Sequence, residues 1–101
     1  MIITVASRHM EVTAPLKAYA ESKANKLTKY FDRIQEVEIV IDTSKDQASV
    51  EMIVNAEHNG KIVAHHNDGD AYACIDACVG KLERQLSELK KKLRNRKHPA
   101  A

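Results

Sequence analysis

Aromatic residues are scarce in this chain: there is no tryptophan, one phenylalanine (Phe31) and three tyrosines (Tyr19, Tyr30, Tyr72) among 101 residues. So thin a supply of rings argues against an aromatic sheet platform that stacks bases, the common way of holding single-stranded nucleic acid. Cysteine is sparse too. Cys74 and Cys78 stand four apart in a helical pattern, which is no disulfide framework. No apolar run approaches the ~20 residues that a membrane-spanning helix needs, so no membrane partner is expected. The opening Met1-Ile2-Ile3-Thr4-Val5 has neither a basic lead nor a long apolar stretch, so no signal peptide is expected and the expected compartment is the cytoplasm. Internal repeats and low-complexity segments are missing. So are a phosphate loop and any nucleophile paired with a base, and the chain is not expected to be an enzyme.

What is present is ordinary globular material, 44 % apolar and 30 % charged, enough for one domain with one core. Ile2 to Ser7 is β-rich. Thr13 can cap a helix with Pro15 in its first turn, where a missing N–H costs nothing. From Ala14 to Phe31 the apolar residues Leu16, Ala20, Ala24, Leu27 and Phe31 recur at helical spacing. Gln35 to Thr43 and Ala48 to Glu57 alternate with period two, and Lys61 to Asn67 adds a strand beyond His58-Asn59-Gly60, whose Asn-Gly favours positive φ in a tight hairpin. Asp68 or Asp70 can cap a second helix. Its stripe, Tyr72, Ile75, Val79, Leu82, Leu86, Leu89 and Leu93, keeps a heptad spacing. The spacing predicts a helix over 71–96. At ~1.5 Å per residue it is much longer than a six-residue strand of ~20 Å, so it should overhang the sheet. The order β-α-β-β-β-α predicts an α+β fold, a single domain with two helices packed on one face of a four-stranded sheet. The domain covers 1–97, and 98–101 is a disordered tail.

Charge is divided along the chain. Ile34 to Asp70 holds eight acids against Lys45 and Lys61, net −6. Lys81 to Lys97 holds eight bases against Glu83 and Glu88, net +6, and the first helix with its exit adds +3. The expectation is basic helices and an acidic outer sheet face. Adjacent like charges repel, so folding alone gives no reason to collect Lys90-Lys91-Lys92-Leu93-Arg94-Asn95-Arg96-Lys97. A polyanion does, and RNA is a common one. Lysine outnumbers arginine, which favours phosphate contacts over bidentate base reading.

The chain resembles the ribosome hibernation-promoting factors, also described as sigma-54 modulation proteins. The likeness runs from Ile2 to about Leu93. It rests on Val12-Thr13-Ala14-Pro15-Leu16-Lys17, Tyr30-Phe31-Asp32-Arg33-Ile34, Asn59-Gly60-Lys61-Ile62-Val63-Ala64, Asp70-Ala71-Tyr72-Ala73-Cys74-Ile75-Asp76 and Lys81-Leu82-Glu83-Arg84-Gln85-Leu86, in that order. The resemblance implies a protein that binds the small ribosomal subunit and its ribosomal RNA in the mRNA and tRNA channel and stops translation in starved cells. By position it implies RNA contacts from Lys23, Lys26, Lys29, Lys81, Arg84, Lys90 and Lys92, with Arg94 extending the basic stretch. Glu88 stands where the family often has another lysine. The chain looks like the short type, whose members favour ribosome pairing with a helper protein, and a monomer is expected when it is free.

Other readings compete. A zinc site could draw on Cys74, Cys78, His58, His65 and His66, but structural zinc sites bring closely paired ligands from two segments. Small half-buried packing thiols are expected instead, with no metal and no cofactor. Tyr72 is expected in the core and Asp76 beside a cation. A helix-mediated homodimer through Leu86, Leu89 and Leu93, or a general double-stranded-RNA binder, are the alternatives in function. If about six phosphates are contacted, log affinity for RNA should fall against log salt with a slope of roughly −4 to −5. Filter binding across a salt series measures it, and a flat response would remove phosphate contact as the main attraction.

Overall fold

Period-two alternation from Ile34 onward resolves into a sheet with one covered face. The computed structural model describes residues 1–9, 11–44 and 46–97, the last two as backbone only. The expected tail, 98–101, lies outside the described residues. Strand β1 is Ile2–Arg8, helix α1 Ala14–Asn25, β2 Ile34–Thr43, β3 Ala48–Ala56, β4 Gly60–Asp68 and α2 Ala71–Lys97. The sheet order is β1-β2-β3-β4, with β1 parallel to β2 and the other pairs antiparallel. The predicted α+β architecture is the one observed.

Register explains the core. Val37, Ile39 and Ile41 of β2 stand opposite Val54, Met52 and Val50 of β3, and all six are buried. Their outer neighbours on the same face are Ile3 and Val5 of β1 and Ile62 and Ala64 of β4. Ala20, Leu27, Ile75, Leu82 and Leu86 close over them from the helices. Both helix starts are capped as their sequences predict. Thr13 Oγ1 accepts from the Leu16 N–H at 3.3 Å, and Asp70 Oδ1 from the Tyr72 N–H at 3.0 Å.

Four details differ from expectation. The first helix does not run to Phe31. It ends at Asn25 and continues as a 3-10 turn over Lys26–Lys29, with the Thr28 hydroxyl donating to the Asn25 carbonyl at 2.9 Å. In the hairpin the positive φ falls on His58 (63°) and Gly60 (77°), not on Asn59, whose N–H closes the turn onto the Ala56 carbonyl at 2.9 Å. Tyr72 is not core. It is 38 % exposed and meets Tyr19 edge-on, with ring centroids 5.0 Å apart. The cysteines are fully buried rather than half-buried. Their thiols point at β3, Cys78 Sγ 3.3 Å from the Val50 carbonyl and Cys74 Sγ 3.5 Å from that of Ala48.

The open face of the sheet is also less acidic than the chain segment as a whole. Glu36, Glu38, Asp42 and Glu51 lie on it, but register sets Arg8 beside Asp42 and Lys61 beside Asn55. Ile2, Val40, Ile53 and Val63 share the face. The other acids sit elsewhere: Asp46 and Glu57 in connections, Asp68 at the end of β4 and Asp70 at the α2 cap.

Burial along α2 falls off in steps. Leu82 and Leu86 are fully enclosed, Leu89 and Leu93 only half-buried. Leu82→Ala should therefore cost about 2–5 kcal/mol. Leu93→Ala, removing a side chain that keeps part of its surface in water, should cost about 1 kcal/mol. Urea unfolding followed by circular dichroism checks both. Equal losses would contradict the gradient.

Candidate nucleic-acid interface

The two helices lie side by side and run in the same direction. Tyr19 and Lys23 of α1 face Tyr72 and Asp76 near the start of α2, and Lys29 and Tyr30 line a cleft with Ser87 and Lys90 further along. At the near end the contacts are polar. The Tyr19 hydroxyl donates to Asp76 Oδ1 at 2.6 Å, and Lys23 Nζ stands 3.8 Å from the same oxygen and 5.4 Å from the Tyr19 ring centre. Asp76 thus has its expected cation, and Lys23 is partly neutralised by it. The Tyr19 hydroxyl is harder to ionise than usual, because losing its proton would set an anion against Asp76.

Further along, cations gather without partners. The 3-10 geometry eclipses side chains three apart, so Lys26 and Lys29 share one face. Lys29 reaches a cleft of about 210 Å³ with Lys90, Lys91 and Arg94. On the other side of Lys90 and Arg94 a second cleft of about 240 Å³ adds Phe31, Asp32, Arg33 and Leu93. Among the described residues, Lys29, Lys90, Lys91 and Arg94 form no ion pair. The Glu57 N–H donates to the Arg33 carbonyl at 2.8 Å, which ties the loop carrying Arg33 to the β3–β4 turn.

The rest of the predicted set lies apart. At 3.6 residues per turn Lys81 and Lys92 turn toward the opposite flank of α2, the β4 side, while Arg84 faces outward between the two flanks. Lys81 and Arg84 border a shallow cleft there with Gln85, Glu88, Val63 and His65. Lys81 is committed to the fold: its Nζ donates to the His65 carbonyl at 2.6 Å, and Gln85 Nε2 donates to the Val63 carbonyl at 3.3 Å. The eight predicted residues therefore divide, with Lys26, Lys29, Lys90 and Arg94 on one flank, Lys92 toward the other, Arg84 facing outward between them, and Lys23 and Lys81 engaged internally. Arg33 and Lys91, absent from that set, belong to the first group. A cationic residue two positions after Phe31, at the exit of a basic helix, was the available signal for Arg33.

Chemistry elsewhere is limited. The Cys78 thiol is pushed up to about 11 and Cys74 is raised too, both chiefly by burial away from water. They are packing groups with little thiolate at neutral pH. Most of the heptad stripe is spent inside the molecule: Ile75, Leu82 and Leu86 are fully buried, and Leu89 and Leu93 pack on the core with part of their surface exposed. Among the described residues no helix is long and apolar enough to cross a membrane.

Comparison with known proteins shows what the chain as a whole is similar to. Residues 3–94 match the family described as Sigma 54 modulation protein / S30EA ribosomal protein. The chain is 36 % identical over 92 residues to a ribosome hibernation promoting factor of Pseudomonas putida, covering 91 % of this chain and 89 % of that one. It is 33 % identical over 94 residues to the factor of that name from Escherichia coli K12, covering 93 % and 98 %. Among solved structures it is similar to the N-terminal domain of Thermus thermophilus Protein Y, with a TM-score of 0.79 and 28 % identity over 88 % of this chain and 99 % of that one. It is also similar to a ribosomal subunit interface protein from Coxiella burnetii, with a TM-score of 0.82 and 25 % identity over 90 % and 99 %.

Ionisation of the buried Cys78 thiol works against the fold toward its alkaline limit. Folding raises the Cys78 value from 9.0 to about 11, so the native state keeps a proton that the unfolded chain gives up in that window. Stability from this group is fully present below pH ~9 and lost as pH rises toward ~11. Urea midpoints between pH 8 and 11 should fall for the wild type and fall less for Cys78→Ala. Parallel curves would show that Cys78 does not set the limit.

Proposed function

We propose, since this chain belongs to the sigma 54 modulation protein / S30EA ribosomal protein family, that it binds the small ribosomal subunit in the mRNA and tRNA channel and silences translation in stationary phase or stress. It is a binding protein of the ribosome hibernation class, not an enzyme. The observation that carries the finer reading is the convergence of Lys29, Lys90, Lys91 and Arg94 on one cleft with no acid paired to them among the described residues. Such a surface attracts phosphate of any sequence, as a plug in an RNA-lined channel requires. Arg84 on the outward face of α2 and Lys92 on its far flank would meet a second wall of that channel. Exposed charge contacts are individually weak, which lets a grip made of many of them be released when conditions change. Promotion of ribosome pairing, with a helper protein as a further partner, belongs to the same proposal.

Occupancy of the channel has a direct test. Bound protein is followed on purified small subunits as mRNA, initiator tRNA and initiation factors are added. Displacement at saturating tRNA is the expected result, and simultaneous occupancy of one subunit by both would eliminate the mechanism. In the same assay Lys29→Glu, Lys90→Glu and Arg94→Glu combined should abolish association. Glu36→Gln with Glu38→Gln, on the open sheet face, should leave it near normal.

A further inference from the structure

The cleft between the α1 exit and the far half of α2 is not merely cationic. Its floor is apolar, made by the buried ring of Phe31 and the half-buried side chain of Leu93. Its walls carry Arg33, Lys90 and Arg94. The Arg33 guanidinium carbon stands 5.7 Å from the Phe31 ring centre, at the edge of the floor, with the side chain about half exposed. Lys90 and Arg94 are one turn apart on α2, where like charges are unfavourable for the helix itself. One carboxylate also borders the cleft, that of Asp32, whose Oδ1 lies 4.0 Å from Arg33 Nε and which is 92 % exposed.

Bare phosphate would need the cations and nothing else. The apolar floor asks for a flat, poorly hydrated group, and the three cations ask for an anion a few ångströms from it. The geometry points to a site for a single nucleotide: the base lies on the half-exposed side chain of Leu93, with the buried Phe31 ring beneath the floor, and the 5′-phosphate reaches Lys90 and Arg94. The Arg33 guanidinium packs over the base plane, as arginine does over unstacked bases. Asp32 repels phosphate from the loop side and so sets the polarity of the ligand, leaving its carboxylate to accept from a ribose hydroxyl or an exocyclic amine. The cleft, at about 240 Å³, is far too small for a duplex groove. The inference rests on the ribosomal reading and sharpens it, since it adds one unstacked nucleotide to a grip otherwise made of phosphate contacts. The nucleotide can come from ribosomal RNA or from the free pool, because the chemistry is shared.

The test is a chemical-shift titration of the labelled full chain with adenosine 5′-monophosphate, uridine 5′-monophosphate, inorganic phosphate and adenosine. Expected is saturable movement of the Phe31, Arg33, Lys90, Leu93 and Arg94 signals by the two nucleotides. Phosphate alone and nucleoside alone should bind at least tenfold more weakly. Lys90→Ala with Arg94→Ala, both exposed and safe for the fold, should remove the nucleotide response. Small-subunit binding by Leu93→Ala then separates the two sources. A loss of about tenfold with an unchanged salt slope assigns the nucleotide to ribosomal RNA. Unchanged subunit affinity with lost mononucleotide binding assigns it to the free pool. Equal binding of phosphate and nucleotide would overturn the proposal, as would no response in a protein that still binds subunits. A chain that takes the nucleotide but not the subunit would instead sink the ribosomal reading and keep the site.

Discussion

The seat of α2 on β3 and β4 is the contact on which the other features depend. Ile75, Leu82 and Leu86 press onto the inner face formed by Val50, Met52, Val54 and Ala64, and Cys74 and Cys78 fill the close approach to β3. That contact weakens after Leu86, where Leu89 and Leu93 are only half-buried, while the helix continues to Lys97. Lys90, Lys91 and Arg94 are thereby presented at the α1 exit, and Lys92 on the other side of the helix. Length mismatch between a helix and a strand thus becomes a projecting charged arm. No separate device is needed to present it.

Much of this was legible in the sequence. Alternation located the strands, Thr13 and Asp70 announced both caps, and the heptad stripe gave α2 nearly its full extent. The failures have physical causes. Leu27 and Phe31 keep a helical spacing through the 3-10 turn, so periodicity cannot see where α1 tightens. Tyr72 continues the apolar spacing of α2 but stands at the rim, where Tyr19 rather than the sheet is its neighbour. The open face could not be read as mixed, because Arg8 reaches Asp42 only through the parallel pairing of β1 with β2, a contact between residues 34 apart. Lys81 looks like its neighbours in sequence. Only the fold shows that its ammonium is already occupied by the His65 carbonyl.

The candidate interface was legible as charge and not as shape. A run of lysines says that phosphate is attracted, and family resemblance selected positions along it. Which cations act together depends on the turn of α2 and on the loop held by the Glu57–Arg33 hydrogen bond, and both are properties of packing. The grouping of Arg33 with Lys90 and Arg94 over Phe31 and Leu93 gives the surface a pocket with two kinds of lining. A stripe of charge alone would have none.

The two hydrogen bonds from α2 to the rim of β4 have a consequence of another kind. A bare edge strand offers its backbone to any other extended chain, and sheets grow or fuse through such rims. Lys81 and Gln85 occupy two of the outward carbonyls of β4, at His65 and Val63, and the long side chains lie across the approach. A protein built this way can be kept concentrated without polymerising through that rim. Replacing Lys81 would then trade a charge on the surface for a tendency to form fibrils.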